Sequence, residues 1–414
     1  MTFPLIYNSL LHLMALPTLG KMGLEMVRTG KYRGNFLPRL GAGFPKIEKG
    51  SKKLIWIHAV SMGETKAVAP LVRKLKNSDT VIVLSTVTET GHREGKKVAP
   101  EADYHVYLPF DLPYLIRPII KRVKPDVVLL TETDFWFNFQ DAAQKAGAKL
   151  ILVNGKLSER SLSRYQNFPL FSKQLIDSFD RLLVQGDLYA NRFRKIGISP
   201  SKIKITGNIK LDGVMEEETL FDREKLQLSG PLLTLGSTHD PEERLWIEAL
   251  KRIWKRIPDL KVFIVPRHPE RFETVARLLA SENIPFHAFS KQPYFGEAKV
   301  VLVDAMGLLR QCYKISTLAF VGGSLAKIGG HNILEPAYYG VPVLYGPHMH
   351  QQPDLLDLMN RYEAGVCVRE DLVQKTVELL LNEDTRRQMG ERGKLLVKES
   401  QGALEETLQE ILKA

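Results

Sequence analysis

The run His58-Ala59-Val60-Ser61-Met62-Gly63-Glu64 ends an apolar segment in a carboxylate at the start of a helical one. The first turn of a helix presents unpaired N–H groups and a partial positive charge, so a carboxylate is favoured there. A fixed carboxylate at such a place can take the proton from an attacking hydroxyl, which makes Glu64 a candidate general base. The plain alternative is an acidic residue that only complements the helix dipole. Two further polar segments close apolar runs: Thr131-Glu132-Thr133, and Thr206-Gly207-Asn208-Ile209-Lys210-Leu211-Asp212. The lysine of the second suits a leaving phosphate or a substrate carboxylate.

The second half of the chain carries residues suited to a nucleotide. Phe320-Val321-Gly322-Gly323-Ser324 ends an apolar run in a glycine turn, and Gly329-Gly330-His331-Asn332-Ile333-Leu334-Glu335-Pro336 opens a helix. Glycine lets backbone approach a phosphate closely, and a helix start offers N–H donors to it; the plain alternative is an ordinary glycine-rich turn with a capped helix. Glu335, three residues beyond Asn332, shares its helical face and is placed to accept two ribose hydroxyls. Arg267, in Val265-Pro266-Arg267-His268-Pro269, is suited to two-pronged oxyanion contacts, or to a neighbouring carboxylate. Asp304-Ala305-Met306-Gly307-Leu308 ends another run and reads either as an ordinary strand-end turn or as backbone that borders a base. The GxGxxG fingerprint is absent, which counts against a dinucleotide.

These segments need a scaffold that brings them to one edge. Short apolar runs at Leu54–Val60, Thr80–Thr86, Asp126–Leu130, Lys149–Val153 and Arg181–Gln185 alternate with helical stretches. After the charged stretch Met215-Glu216-Glu217-Glu218 the alternation restarts at Leu232–Gly236, Lys261–Val265, Val300–Val303, Thr317–Val321 and Val341–Tyr345. Such alternation predicts parallel sheets with helices on both faces. The expectation is an α/β chain of two Rossmann-like, doubly wound domains, residues 51–215 and 216–414, with ligands in the cleft at the carboxyl ends of the strands.

Composition narrows the partners. A formal charge of +11 and a pI of about 9.4 point to something anionic. No nucleic-acid motif or interleaving of aromatic and basic residues accompanies that charge, so nucleic acid is not expected. Cys312 and Cys367 stand alone, against a disulfide framework or a cysteine zinc site, and no DxD pair suggests a metal. Residues 1–50 begin with an apolar stretch interrupted by Asn8, His12 and Pro17, followed by Lys21, Arg28, Lys31, Arg33 and Arg39. This reads as a helix dipped into an anionic leaflet with its basic run at the cytoplasmic surface; packing on its own domain, or a true span, are the alternatives.

Together these motifs, with Leu157-Ser158-Glu159-Arg160-Ser161 and Gly236-Ser237-Thr238-His239, resemble the family of 3-deoxy-D-manno-octulosonic acid (Kdo) transferases of lipopolysaccharide assembly. The resemblance runs through both halves. It implies the GT-B glycosyltransferase fold, a CMP-Kdo donor, and a phosphorylated lipid A precursor as acceptor at the cytoplasmic face of the inner membrane. It also implies Glu64 as base, Glu132 and Lys210 as transition-state stabilisers, and no cofactor or metal. CMP would rest against Pro266 and Arg267, Met306, Gly307 and Leu308, and Asn332, Ile333, Leu334 and Glu335. Departures from the pattern fall at Arg93, Gly155-Lys156 and Met349-His350-Gln351-Gln352. The rivals are a GT-B relative using a UDP-sugar and a non-catalytic membrane-docked nucleotide-binding protein.

Overall fold

The computed structural model describes residues 3–29, 34–133, 135–212 and 221–413. The stretch Met215–Glu218, expected as a linker, lies outside these residues, as do Lys31 and Arg33. The chain divides into two compact units, Met1–Met215 with Ser400–Ala414, and Glu216–Glu399.

In the first unit, β1 (Lys53–His58), β2 (Thr80–Thr86), β3 (Tyr104–Tyr107), β4 (Val127–Thr131), β5 (Lys149–Gly155), β6 (Arg181–Val184) and β7 (Ile203–Ile205) form one sheet. Its order is β3-β2-β1-β4-β5-β6-β7, and every pairing is parallel. The central strands are buried on both faces, which is why they read as unbroken apolar runs. Order reverses between β1 and β4, so the loops leaving those strands diverge and leave a crevice at their carboxyl ends.

In the second unit, β8 (Leu232–Thr238), β9 (Lys261–Pro266), β10 (Phe286–Ala288), β11 (Val300–Leu302), β12 (Leu318–Val321), β13 (Val343–Tyr345) and β14 (Gly365–Cys367) pair in the order β10-β11-β9-β8-β12-β13-β14. All pairings are again parallel, and the reversal falls between β8 and β12. Leu233, Leu235, Trp246, Ile264 and Phe320 belong to one of its core clusters.

The helices that matter below are α1 (Phe3–Thr29), α2 (Met62–Leu75), α3 (Phe137–Lys145), α4 (Glu242–Ile253), α5 (Leu334–Tyr338) and α6 (Ala403–Leu412). The assignment of residues 216–414 to one domain needs correction at its end, because α6 belongs to the first unit. Its Ala403, Leu404, Leu408 and Ile411 lie on one helical stripe and join the core of Ile55, Ile57, Val68, Leu71 and Ile209. Burial of each large apolar side chain contributes about 1.5–3 kcal/mol, enough to bring the last helix back.

α1, expected as a helix, runs through Pro17 without stopping. Proline removes one N–H from the helix ladder, and nearby the Thr18 hydroxyl donates to the Met14 carbonyl at 2.7 Å. No described helix is long and apolar enough to cross a membrane.

Candidate active site

Glu64 enters the crevice from the first turn of α2. Ser61 caps that helix by accepting from the Glu64 N–H, at 3.4 Å, while its hydroxyl donates to Glu64 Oε1 at 2.6 Å. Glu64 Oε2 accepts the Val60 N–H at 2.9 Å, so cap and carboxylate hold each other as in a capping box, with the returning bond made one residue before the N-cap. Thr131 Oγ1, at the end of β4, lies 2.9 Å from both Glu64 Oε2 and the His58 carbonyl oxygen, and its one proton serves one of them at a time. The side chain is therefore held by two strands and a helix, with the residue only 8% exposed. A carboxylate has about four lone-pair positions, and these bonds leave one on Oε1 for an incoming proton.

Glu132 follows directly. Its φ of +59° lies in the left-handed region, unusual for a side chain with a Cβ, and turns the chain sharply at the strand end. Lys210 Nζ lies 2.5 Å from Oε1 and Lys156 Nζ 2.7 Å from Oε2. Burial pushes this carboxyl up, but Lys210 and Lys156 outweigh it and hold it below the usual glutamate range. Two ammonium groups on one carboxylate leave the Glu132 cluster itself with a net positive charge, which suits an anion, beside the carboxylate of Glu64. Asn154, at the end of β5, also has a left-handed φ of +56°, and its Oδ1 accepts the Ile209 N–H at 3.1 Å. That bond ties the Lys210 loop to the sheet.

His58 lies beneath this surface, fully buried, with Nδ1 2.8 Å from Ser85 Oγ. Burial, with a smaller push from Arg39, lowers it to about 3, so it is neutral and serves as packing. Arg39 corrects an expectation. It does not belong to an exposed basic run but is buried over the Phe110 ring, 4.1 Å from its centroid, with Nε donating to the Leu108 carbonyl. Lys21 faces Glu25 at 3.9 Å.

The glycine turn of the second unit overturns another expectation. Gly323, Ser324, Leu325 and Ala326 donate their N–H groups, at 2.8–3.1 Å, not outward but to the fully buried carboxylate of Glu242 in α4, which also takes the His239 N–H. The chain's own carboxylate occupies the nest that was assigned to a phosphate. A Cβ at Gly322 would lie 2.3 Å from the Ser237 carbonyl oxygen, so close packing explains that glycine. α5 is likewise short, and Asn332 Oδ1 takes the Leu334 N–H at 3.0 Å, so that donor is not free for a phosphate either.

Arg267 and Arg271 divide the roles first weighed for one arginine. Arg271 pairs with buried Glu243 at 3.0 Å and lies 3.7 Å from Asp240. Arg267, half-buried beyond Pro266 at the end of β9, has no ion-pair partner among the described residues. Beside it, His239, after β8, and His331, after β12, approach Nε2 to Nε2 at 2.8 Å. The Met306-Gly307-Leu308 turn presents an exposed Met306, a left-handed Gly307 at φ +88° and a half-buried Leu308. Ile333 and Leu334 are buried under the edge, with Glu335 half-buried beside them. Among the described residues no group of three His, Cys, Asp or Glu side chains gathers to hold a metal.

A family model described as 3-Deoxy-D-manno-octulosonic-acid transferase (kdotransferase) matches residues 35–213. The 3-deoxy-D-manno-octulosonic acid transferase of Chlamydia muridarum is 35% identical over 421 residues, covering 99% of this chain and 96% of its own. The chain belongs to the Kdo transferase family. The Haemophilus influenzae 3-deoxy-D-manno-octulosonic acid transferase is 33% identical, covering 97% of this chain and 96% of its own. Among solved structures, the UDP-GlcNAc 2-epimerase of Neisseria meningitidis matches with a TM-score of 0.63 and 14% identity, over 87% of this chain and 100% of that one. A glycosyltransferase from Rickettsia africae matches with a TM-score of 0.60 and 17% identity, over 88% and 98%. These likenesses give the fold, the GT-B type with two Rossmann-like units, and the Kdo transferase family makes the chain a glycosyltransferase.

Lys156, which stands at a departure from the Kdo transferase pattern, is a site residue that motif reading misses. The strand order could have revealed it: β5 lies beside β4, so the residue following β5 reaches the carboxylate following β4.

Proposed function

We propose that this Kdo transferase moves Kdo from CMP-Kdo to a phosphorylated lipid A precursor in a single inverting displacement, with Glu64 as the base. The observation that carries this reading is the division of labour between two adjacent carboxylates. Glu132 is committed to Lys156 and Lys210 and has no charge to spare for a proton. Glu64 is fixed by neutral donors and keeps a lone pair on Oε1. An acceptor hydroxyl that gives its proton to Glu64 becomes the nucleophile, and attack opposite the phosphate inverts the anomeric carbon. The Glu132 lysines offer positive charge to the Kdo carboxylate or an acceptor phosphate, and Arg267 to the CMP phosphate; on this reading these cations do the charge stabilisation without a metal. Met306–Leu308 and Asn332–Glu335 border the nucleotide, Glu335 taking the ribose hydroxyls.

The membrane part of the proposal rests on α1. Phe3 and Tyr7 pack on Phe137, while Leu10, Leu13, Met14, Leu24 and Val27 are exposed. That outward face suits the cytoplasmic leaflet of the inner membrane, where an anionic surface attracts a chain of charge +11. Replacing Leu13 and Met14 by Asp is expected to weaken sedimentation with anionic vesicles at least tenfold, since each buried apolar side chain contributes about 1.5–3 kcal/mol; unchanged sedimentation refutes this role.

The deciding experiment is Glu64→Gln with CMP-Kdo and lipid acceptor. Turnover is expected to fall by roughly 100- to 10,000-fold with CMP affinity unchanged; near-normal turnover sinks the assignment. Calorimetry with CMP and with UDP separates the donor from its rival.

A further inference from the structure

We propose that His239 and His331 form a proton-sharing pair that, with Arg267, binds the donor's phosphodiester and takes up a proton as it does so. The inference rests on the reading that the second unit holds a cytidylyl donor. It adds to that reading two residues and a protonation state.

Geometry comes first. The two rings are nearly coplanar, at 10°, with centroids 5.1 Å apart and Nε2 atoms at 2.8 Å. Two bare nitrogens at that distance would repel and two N–H groups would collide, so one proton lies between them. In the neutral pair, the ring that donates has a bare Nδ1, and the ring that accepts has a protonated Nδ1. One added proton gives the pair a positive charge and turns both Nδ1 atoms into donors. That is the state an anion selects.

The surroundings keep the empty pair neutral. His268 stands edge-on to His239 at 5.3 Å. Arg267, Arg271 and His268 oppose charge on His239, and Arg267 and His268 oppose it on His331. The nearby carboxylates are engaged elsewhere: Glu243 and Asp240 face Arg271, and Glu242 is filled by backbone N–H groups. Burial first, then His239 and Arg267, lower His331 to about 4; burial and His268 lower His239 despite Glu243. A phosphodiester beside Arg267 supplies the missing negative charge and reverses the balance. When the sugar–oxygen bond later breaks, the second negative charge on the phosphate forms against an already charged pair.

The test uses the full chain and the methyl ester of CMP, whose single charge does not titrate near neutrality. Calorimetry at pH 7 in buffers of different ionisation enthalpy is expected to show uptake of about half to one proton per ligand. Affinity should fall toward tenfold per pH unit above pH 6, as one proton linked to binding requires. Cytidine, lacking phosphate, should bind with no uptake. His331→Gln and His239→Asn, checked by thermal melts, should each bind the ester about tenfold more weakly with the pH dependence flattened. Binding of the ester without proton uptake in the wild-type chain overturns the pair's role and leaves the donor site standing. Failure of both the ester and CMP to bind overturns the donor-site reading and the inference with it.

Discussion

At Glu132 the sign of a pKa shift can be followed to an observable. Its carboxyl is held below the usual range by Lys210 and Lys156 against the upward push of burial. A depressed folded-state pKa contributes stability above the unfolded value near 4.3, and that contribution is lost as pH falls through the folded value. The lysines are 37–38% exposed, so solvent screening keeps the pair's share to about 1 kcal/mol. Lys156→Met removes one of the opposing charges, so the upward push of burial is offset less. If Glu132 must be ionised during turnover, the acid limb of the rate–pH profile moves to higher pH in Lys156→Met and returns in Lys156→Arg. Initial rates between pH 4 and 8 decide this, and a limb that stays in place removes Glu132 from the mechanism.

At the scale of elements, one buried acid joins the aromatic packing that holds α1 to the first unit. Asp111 accepts the Tyr7 hydroxyl at 2.7 Å and the Asn138 and Phe139 N–H groups at the start of α3 at 3.0 and 2.9 Å. Burial raises it to about 6, and the three donors only partly offset that. A carboxyl whose folded pKa is raised gives its full stability below the unfolded value near 3.9 and loses it as pH rises through about 6. Asp111→Asn abolishes that slope, worth about 3 kcal/mol at about 1.4 kcal/mol per pH unit. Urea titrations at pH 4.5 and 7 are expected to differ less in the variant than in the wild type; an equal difference shows Asp111 is not the titrating group. The strands around such anchors were legible because doubly buried strands such as Leu54–His58 are unbroken apolar runs. Tyr104–Tyr107, Phe286–Ala288 and Gly365–Cys367 were not, being short sheet-edge strands with little burial to mark them. The glycine turn at Gly322–Ser324 was read as a phosphate nest because its filler, Glu242, comes from a distant segment that only the sheet order brings near.

Across the whole molecule, the chain's end is built into the unit that carries Glu64 and Lys210. Asp212 accepts the Gly402 N–H at 2.8 Å and the Leu404 N–H, satisfying donors at the start of α6. Gly207, at φ +88°, would bring a Cβ to 3.0 Å from the Ala403 side chain, so the loop between β7 and Lys210 lies directly on that helix. Lys74 and Lys204 add pairs to Glu405 and Glu406, exposed and worth little by themselves. Sequence order hid this bracing, because a charged helix at the end of a chain reads as the tail of whatever domain precedes it. Its consequence is that the position of Lys210 depends on α6 through Asp212, Gly207 and Ile209. Asp212→Ala should cost about 1 kcal/mol of stability, as loss of a helix cap does, and loosen the Lys210 loop. Deletion of residues 400–414 removes a stripe of buried side chains and should lower the melting temperature of the first unit by many degrees while the second still binds CMP. Both variants are expected to lose turnover with little change in CMP affinity, the deletion far more than Asp212→Ala. A deletion that keeps wild-type turnover would show that Asn154 and Glu132 hold the Lys210 loop without α6.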